Sequence, residues 1–133
     1  MREIKFRGKD IVTSEWRYGY LRHRIACLPS IIHDYNNNGK IDYAETPVHR
    51  DSVGQFTGVY DCDGNEIYEG DIFESEVSGY KVRHYVKYIE GEAMFAAMII
   101  GSSDYCALRQ SWIDRYGKKI IGNIHDNPEL LNK

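Results

Sequence analysis

Val53–Glu74 reads VGQFTGVYDCDGNEIYEGDIFE, a run that fits short strands joined by tight, acidic turns. Gln55, Thr57 and Val59 alternate with Phe56, Gly58 and Tyr60, so side chains fall on two faces with a period of two. Asp61-Cys62-Asp63-Gly64 then supplies turn chemistry. Aspartate side chains bond the backbone ahead of them, and a glycine takes positive φ without a Cβ clash. The chain returns through Asn65–Tyr68, with Ile67 expected inward, and turns again at Glu69-Gly70-Asp71 before Ile72-Phe73. Short strands at close spacing with Gly/Asp punctuation predict a small barrel or roll, and the Gly-Asp corner is the kind that opens SH3-like barrels.

The chain has 133 residues, enough for one compact domain or a small domain with an extended appendage. Hydrophobic residues make up 42% and aromatics 13%, with eleven tyrosines, a balance that supports a real core and favours strands. No run reaches the ~18 apolar residues of a membrane span. Met1–Arg7 is charged and no apolar stretch follows it, so no signal peptide is read and a cytoplasmic location is expected. Cys27, Cys62 and Cys106 are odd in number and far apart, as expected of reduced thiols.

A net charge of −3 argues against broad nucleic-acid binding, but the charge is unevenly placed. Arg2–Arg24 holds seven bases against three acids, and Asp61–Glu76 holds seven acids and no base. These are either two solvated strand faces or two zones that meet within one chain or between subunits.

Outside the central stretch, Met1–Gly8 alternates Ile4 and Phe6 with Lys5 and Arg7 as one strand. Glu15–Arg22 is a second strand, with Trp16, Tyr18 and Tyr20 on one face, and the two are expected to pair. Arg24–His33 is a third extended run, in which Pro29 disfavours a helix. Tyr80–Glu90 is a long alternating strand carrying Val82, His84, Val86 and Tyr88 on one face. Ala93–Gly101 is more continuously apolar, as in a strand covered on both sides. Ser102–Gln110 is ambiguous, Ser111–Lys119 reads as a charged loop with Trp112, and Lys119–His125 is the last strand. Asp126-Asn127-Pro128 then caps a one-turn terminal helix whose Leu130 and Leu131 are expected to dock on the sheet.

Asp34–Glu45, DYNNNGKIDYAE, fits an EF-hand calcium loop position by position: Asp34, Asn36, Asn38, Lys40 through its carbonyl, Asp42 and Glu45, with Gly39 at the sharp turn. Its flanks argue for another structure. An EF-hand needs a helix on each side, yet Pro29 and Ile31-Ile32 precede the loop and Pro47 follows it. The segment is expected to be an Asn/Gly-rich hairpin tip between Ile25–His33 and Lys40–Thr46, with the calcium loop as the alternative.

The five histidines, His23, His33, His49, His84 and His125, show no metal-ligand spacing. His84 is expected to be a partly buried structural residue. No nucleophile elbow, P-loop or dinucleotide fingerprint is present. The acids of Asp61–Glu76 could serve a metal-dependent hydrolase, but most sit at turns, where Asp and Glu are ordinary. No catalytic residue and no cofactor is assigned.

Three blocks, MREIKFRGKD, VGQFTGVYDCDGNEIYEGDI and IIGNIHDNPELL, resemble the YopX family of small phage and prophage proteins, in family order and from end to end. The resemblance is carried by Arg2–Arg7, by Gly54–Gly58 with Asp61, Gly64 and Ile67–Ile72, and by Ile121–Leu131. Val59 and Cys62 are mild departures, and the calcium-like loop falls in a segment that varies in the family. The resemblance implies a mainly β protein with an SH3-like barrel or roll and a tendency to form oligomers, and it transfers no biochemical activity.

The expectation is therefore a single domain over residues 1–133: N-terminal strands and a variable hairpin over 1–50, an SH3-like barrel over 51–126, and a terminal helical turn over 127–133. The expected role is that of a non-enzymatic phage or prophage accessory protein. It would act by self-association as a homo-oligomer or by contact with a phage or host protein, away from membranes. The alternatives are a nucleic-acid-associated protein using the basic aromatic N-terminal strands and a metal-dependent hydrolase using the Asp61–Glu76 acids.

Overall fold

A computed structural model describes residues 2–132. The chain is mainly β and divides into two compact units, residues 1–56 and 57–133. The division falls later than residue 50 because Gly54 and Gln55 still pair with the first strand.

The first unit contains β1 (Phe6–Lys9), β2 (Trp16–Arg22), β3 (Ser30–Asn37) and β4 (Lys40–Pro47). They pair antiparallel in the order β4-β3-β2-β1, and the start of β5 (Gly54–Tyr60) adds to β1. Asp10 shapes the β1–β2 turn: its carboxylate accepts the Val12 N–H at 2.9 Å and the Thr13 N–H at 3.3 Å, and it meets Arg17 at 3.1 Å. The inner side of this sheet buries Ile31, and Gly8 lies so close to Val48 that a Cβ there would be 2.7 Å from Cγ2.

In the second unit the Thr57 hydroxyl, on the latter half of β5, donates to the Ile67 carbonyl of β6 (Glu66–Tyr68). A second antiparallel sheet runs β10 (Tyr105–Ala107), β9 (Met94–Ile99), β8 (Tyr80–Ile89), β7 (Asp71–Val77), β11 (Lys119–Asn123). Its core is Ile67, Phe73, Val86, Ala97, Leu108 and Ile113. Ala96 and Ala97 are both buried, as expected for a strand covered on two sides.

One expectation fails here, and another is met in part. The chain is mainly β with two antiparallel sheets, and no closed barrel is found among the described residues: β10 and β11 are the edge strands of the second sheet. The segment read as a charged loop is instead a helix, α1 (Gln110–Tyr116), between β10 and β11. The helix forms because Ile113 is drawn fully into the core and Gly117 ends it at a left-handed φ of 58°. At the C-terminus Pro128–Leu131 is a single 3₁₀ turn; Leu130 packs near Gly122 of β11, while Leu131 stays exposed.

Candidate functional site

Three places compete as functional sites, and the first is the acidic stretch. Asp61 is almost fully buried, and its carboxylate accepts N–H groups from Asp63 (3.0 Å), Asn65 (2.9 Å) and Ile120 (3.2 Å) as well as the Asn65 side-chain amide (3.2 Å). Burial works to raise its pKa, yet these donors together hold it below the ordinary value. Asp71 accepts the Tyr68 N–H at 2.7 Å. Glu74 is paired with Arg83 at 2.9 Å, which holds it too below the usual carboxylate range. These acids organise backbone and pair with a base. Among the described residues no three His, Cys, Asp or Glu side chains are grouped to hold a metal.

The calcium-like loop is a β-hairpin. Its tip is Asn38-Gly39 with φ of 52° and 86°, the mirror-image turn that suits a two-residue connection. Asp34 pairs with Tyr43 and Asn36 with Ile41, so five of the six loop positions are strung along two strands, Asn38 sits at the tip, and no helix flanks them among the described residues. The Asn36 side chain accepts the Gly39 N–H at 2.9 Å.

The second place is the outer side of the first sheet. Tyr20 is registered with Ile32, Ile32 with Glu45, and Asp34 with Tyr43. Directly opposed residues share a face, so Tyr18, Tyr20, Ile32, Ile41 and Tyr43 lie on one side. Ile41 is 71% and Tyr43 70% exposed. Strand β4 is an open edge. Asn37–Lys40 closes a two-residue hairpin, so alternation directs the main-chain groups of Ile41, Tyr43 and Glu45 away from β3. The basic residues of this unit are largely engaged: Arg17 with Asp10 and Glu15, Arg22 with Glu45, Lys5 with Glu3, and Arg7 buried over the Trp16 ring at 4.5 Å.

The third place was not read from the sequence. His84 of β8, Trp112 of α1, Cys106 of β10 and Lys118 ahead of β11 gather in the second unit. The His84 ring meets the indole edge-on at 5.3 Å, and the Lys118 ammonium sits 4.3 Å from the indole centroid. Lys118 is 3% and His84 5% exposed. Burial, with the Lys118 charge adding to it, pushes His84 down to about 4, and burial lowers Lys118 as well. Burial raises the Cys106 thiol against the opposing pull of Lys118, so the thiol stays protonated at neutral pH. The only sequence signals were Trp112 and Tyr116 at helical spacing and Gly117 as a stop.

The fold and these surfaces describe an antiparallel two-sheet protein. The model of the YopX protein family matches residues 5–132, and the chain belongs to that family. A crystal structure of protein EF1440 from Enterococcus faecalis superposes with a TM-score of 0.66 at 24% identity, covering 99% of this chain and 100% of that one. At that identity the likeness shows the fold alone. Among curated proteins no sequence matches. No helix is long and apolar enough to cross a membrane, among the described residues.

Proposed function

We propose that this protein is a phage- or prophage-derived accessory protein of the cytoplasm that works through protein contacts, with a second copy of itself as the first partner. The open edge of β4 carries the proposal. Its outward main-chain groups belong to Ile41, Tyr43 and Glu45, whose side chains also lie on the exposed apolar face. An unpaired edge is a template for another strand. Antiparallel pairing of two β4 strands about a two-fold axis keeps each face on its own side. The Ile41 and Tyr43 side chains of both copies then form one apolar stripe. Light scattering on the purified protein tests this: a mass of two chains or a higher multiple is expected, and one chain at all concentrations would contradict it.

Nucleic-acid binding is the weaker reading. Tyr18 and Tyr20 offer stacking faces, but Arg17 and Arg22 are held by carboxylates of the same unit. A metal-dependent hydrolase is weaker again, because Asp61 and Asp71 are committed to backbone N–H groups.

A further inference from the structure

The second unit is acidic overall, with thirteen Asp and Glu against eight Lys and Arg over residues 57–133. Against that background one cleft of about 480 Å³ is lined by Cys106, Arg109, Ser111, Trp112, Arg115 and Tyr116, with no carboxylate among its walls. Its size falls in the range of small-molecule sites. Arg109 and Arg115 make no ion pair among the described residues. The nearest acid on the helix, Asp114, is engaged by the Gln110 amide at 3.0 Å.

Lys118 supplies an independent observation. It is buried, its ammonium lies over the Trp112 ring and 5.8 Å from the Tyr116 ring, and both rings line the cleft. No carboxylate and no hydrogen-bond acceptor is paired with it among the described residues. A largely buried ammonium without a paired carboxylate loses part of its hydration and leaves its surroundings electropositive. An anion in the cleft, which Trp112 and Tyr116 line, would be attracted by that potential. The Ser111 hydroxyl and the Trp112 indole N–H are likewise unused by any hydrogen bond among the described residues. The walls thus offer donors and cations. Guanidinium groups match phosphate oxygens two at a time, and the Tyr116 ring, 58% exposed, offers a stacking face.

We infer that this cleft binds an organic phosphate of mononucleotide size, with Arg109 and Arg115 facing the phosphate, Tyr116 the aromatic ring, and Lys118 adding positive potential from its place over the Trp112 ring. The proposal is independent of self-association, which uses residues of the other unit.

The probe is adenosine 5′-monophosphate, titrated into the Trp16→Phe variant so that Trp112 is the only indole reporting. Saturable quenching with a Kd below about 1 mM is expected, reversed by excess inorganic phosphate. The Arg109→Ala/Arg115→Ala double variant should bind at least about tenfold more weakly, the loss of roughly 1.4 kcal/mol. Its circular dichroism should be unchanged, since neither side chain is buried. Calorimetry on the unsubstituted protein repeats the titration without Trp16→Phe. No heat and no quenching at millimolar ligand, or equal affinity in the double variant, would overturn the assignment.

Discussion

The Asp61 carboxylate accepts the backbone N–H of Ile120 at 3.2 Å, across 59 residues of chain. The same side chain closes its own turn through Asp63 and Asn65, and the Cys62 N–H donates to the Lys118 carbonyl at 3.0 Å beside it. One carboxylate therefore fixes both the β5–β6 turn and the start of β11. Asp61→Ala leaves several N–H groups without an acceptor and is expected to cost about 2–4 kcal/mol by urea denaturation. Because the folded-state pKa lies below 3.8, the carboxylate's contribution is full above that value and is lost as pH falls through the folded pKa. An Asp61→Ala variant as stable as the parent at pH 7 would contradict this role.

His84 predicts a pH dependence of its own. Its folded-state pKa is pushed from 6.5 to about 4, so the unfolded chain takes up a proton first as pH falls. Above 6.5 both states are neutral and His84 adds no slope; between 6.5 and 4 stability declines, by up to about 3 kcal/mol. His84→Phe places a ring of similar shape beside Phe73 and Trp112 and should flatten the unfolding midpoint over that window. An unchanged slope in the variant would show that another group carries the titration.

A side chain at Gly122 would force Asn127 and Leu130 to shift. A Cβ there would lie 2.4 Å from Asn127 Oδ1 and 3.1 Å from Leu130 Cδ1. The Asn127 oxygen also accepts the Asn123 N–H at 3.2 Å. Gly122→Ala is expected to displace the terminal turn at a cost of about 1–3 kcal/mol, seen as faster amide exchange at Asn123 and Leu130.

At the β3–β4 tip the constraint is conformational, since nothing lies within 4 Å of a Cβ at Gly39, whose φ is +86°. Gly39→Ala should cost about 1 kcal/mol, and Gly39→Asn less. Titration of calcium into the protein is expected to give no heat. A micromolar signal abolished by Asp34→Ala would instead support the loop reading of Asp34, Asn36, Asn38, Lys40, Asp42 and Glu45.

Local chemistry made much of this fold legible. Period-two alternation located β2, β5 and β8, and Asp61–Gly64 and Asn38-Gly39 announced their turns. The third strand lies further along than the expected Arg24–His33, because only Ser30–Asn37 finds partners in β2 and β4. Helix α1 was missed because it has two turns and buries one residue deeply, Ile113; its polar surface resembles a loop. Barrel closure depends on which edges meet, a non-local property that turn signals do not encode. The same holds for the buried cluster beside the cleft: His84, Cys106, Trp112 and Lys118 come from four separate elements, and only packing gives them a common environment.

The direct test of self-association is sedimentation of the parent and Tyr43→Pro proteins over a wide concentration range. The Tyr43 N–H points away from β3 and donates to the Asp42 carboxylate at 2.9 Å, an acceptor that a second β4 would replace, so proline there keeps the β3–β4 ladder and blocks that pairing. The parent is expected to sediment as a dimer or larger assembly, and Tyr43→Pro as a folded monomer with unchanged circular dichroism. A monomeric parent, or a Tyr43→Pro protein that assembles as tightly as the parent, would contradict pairing through β4.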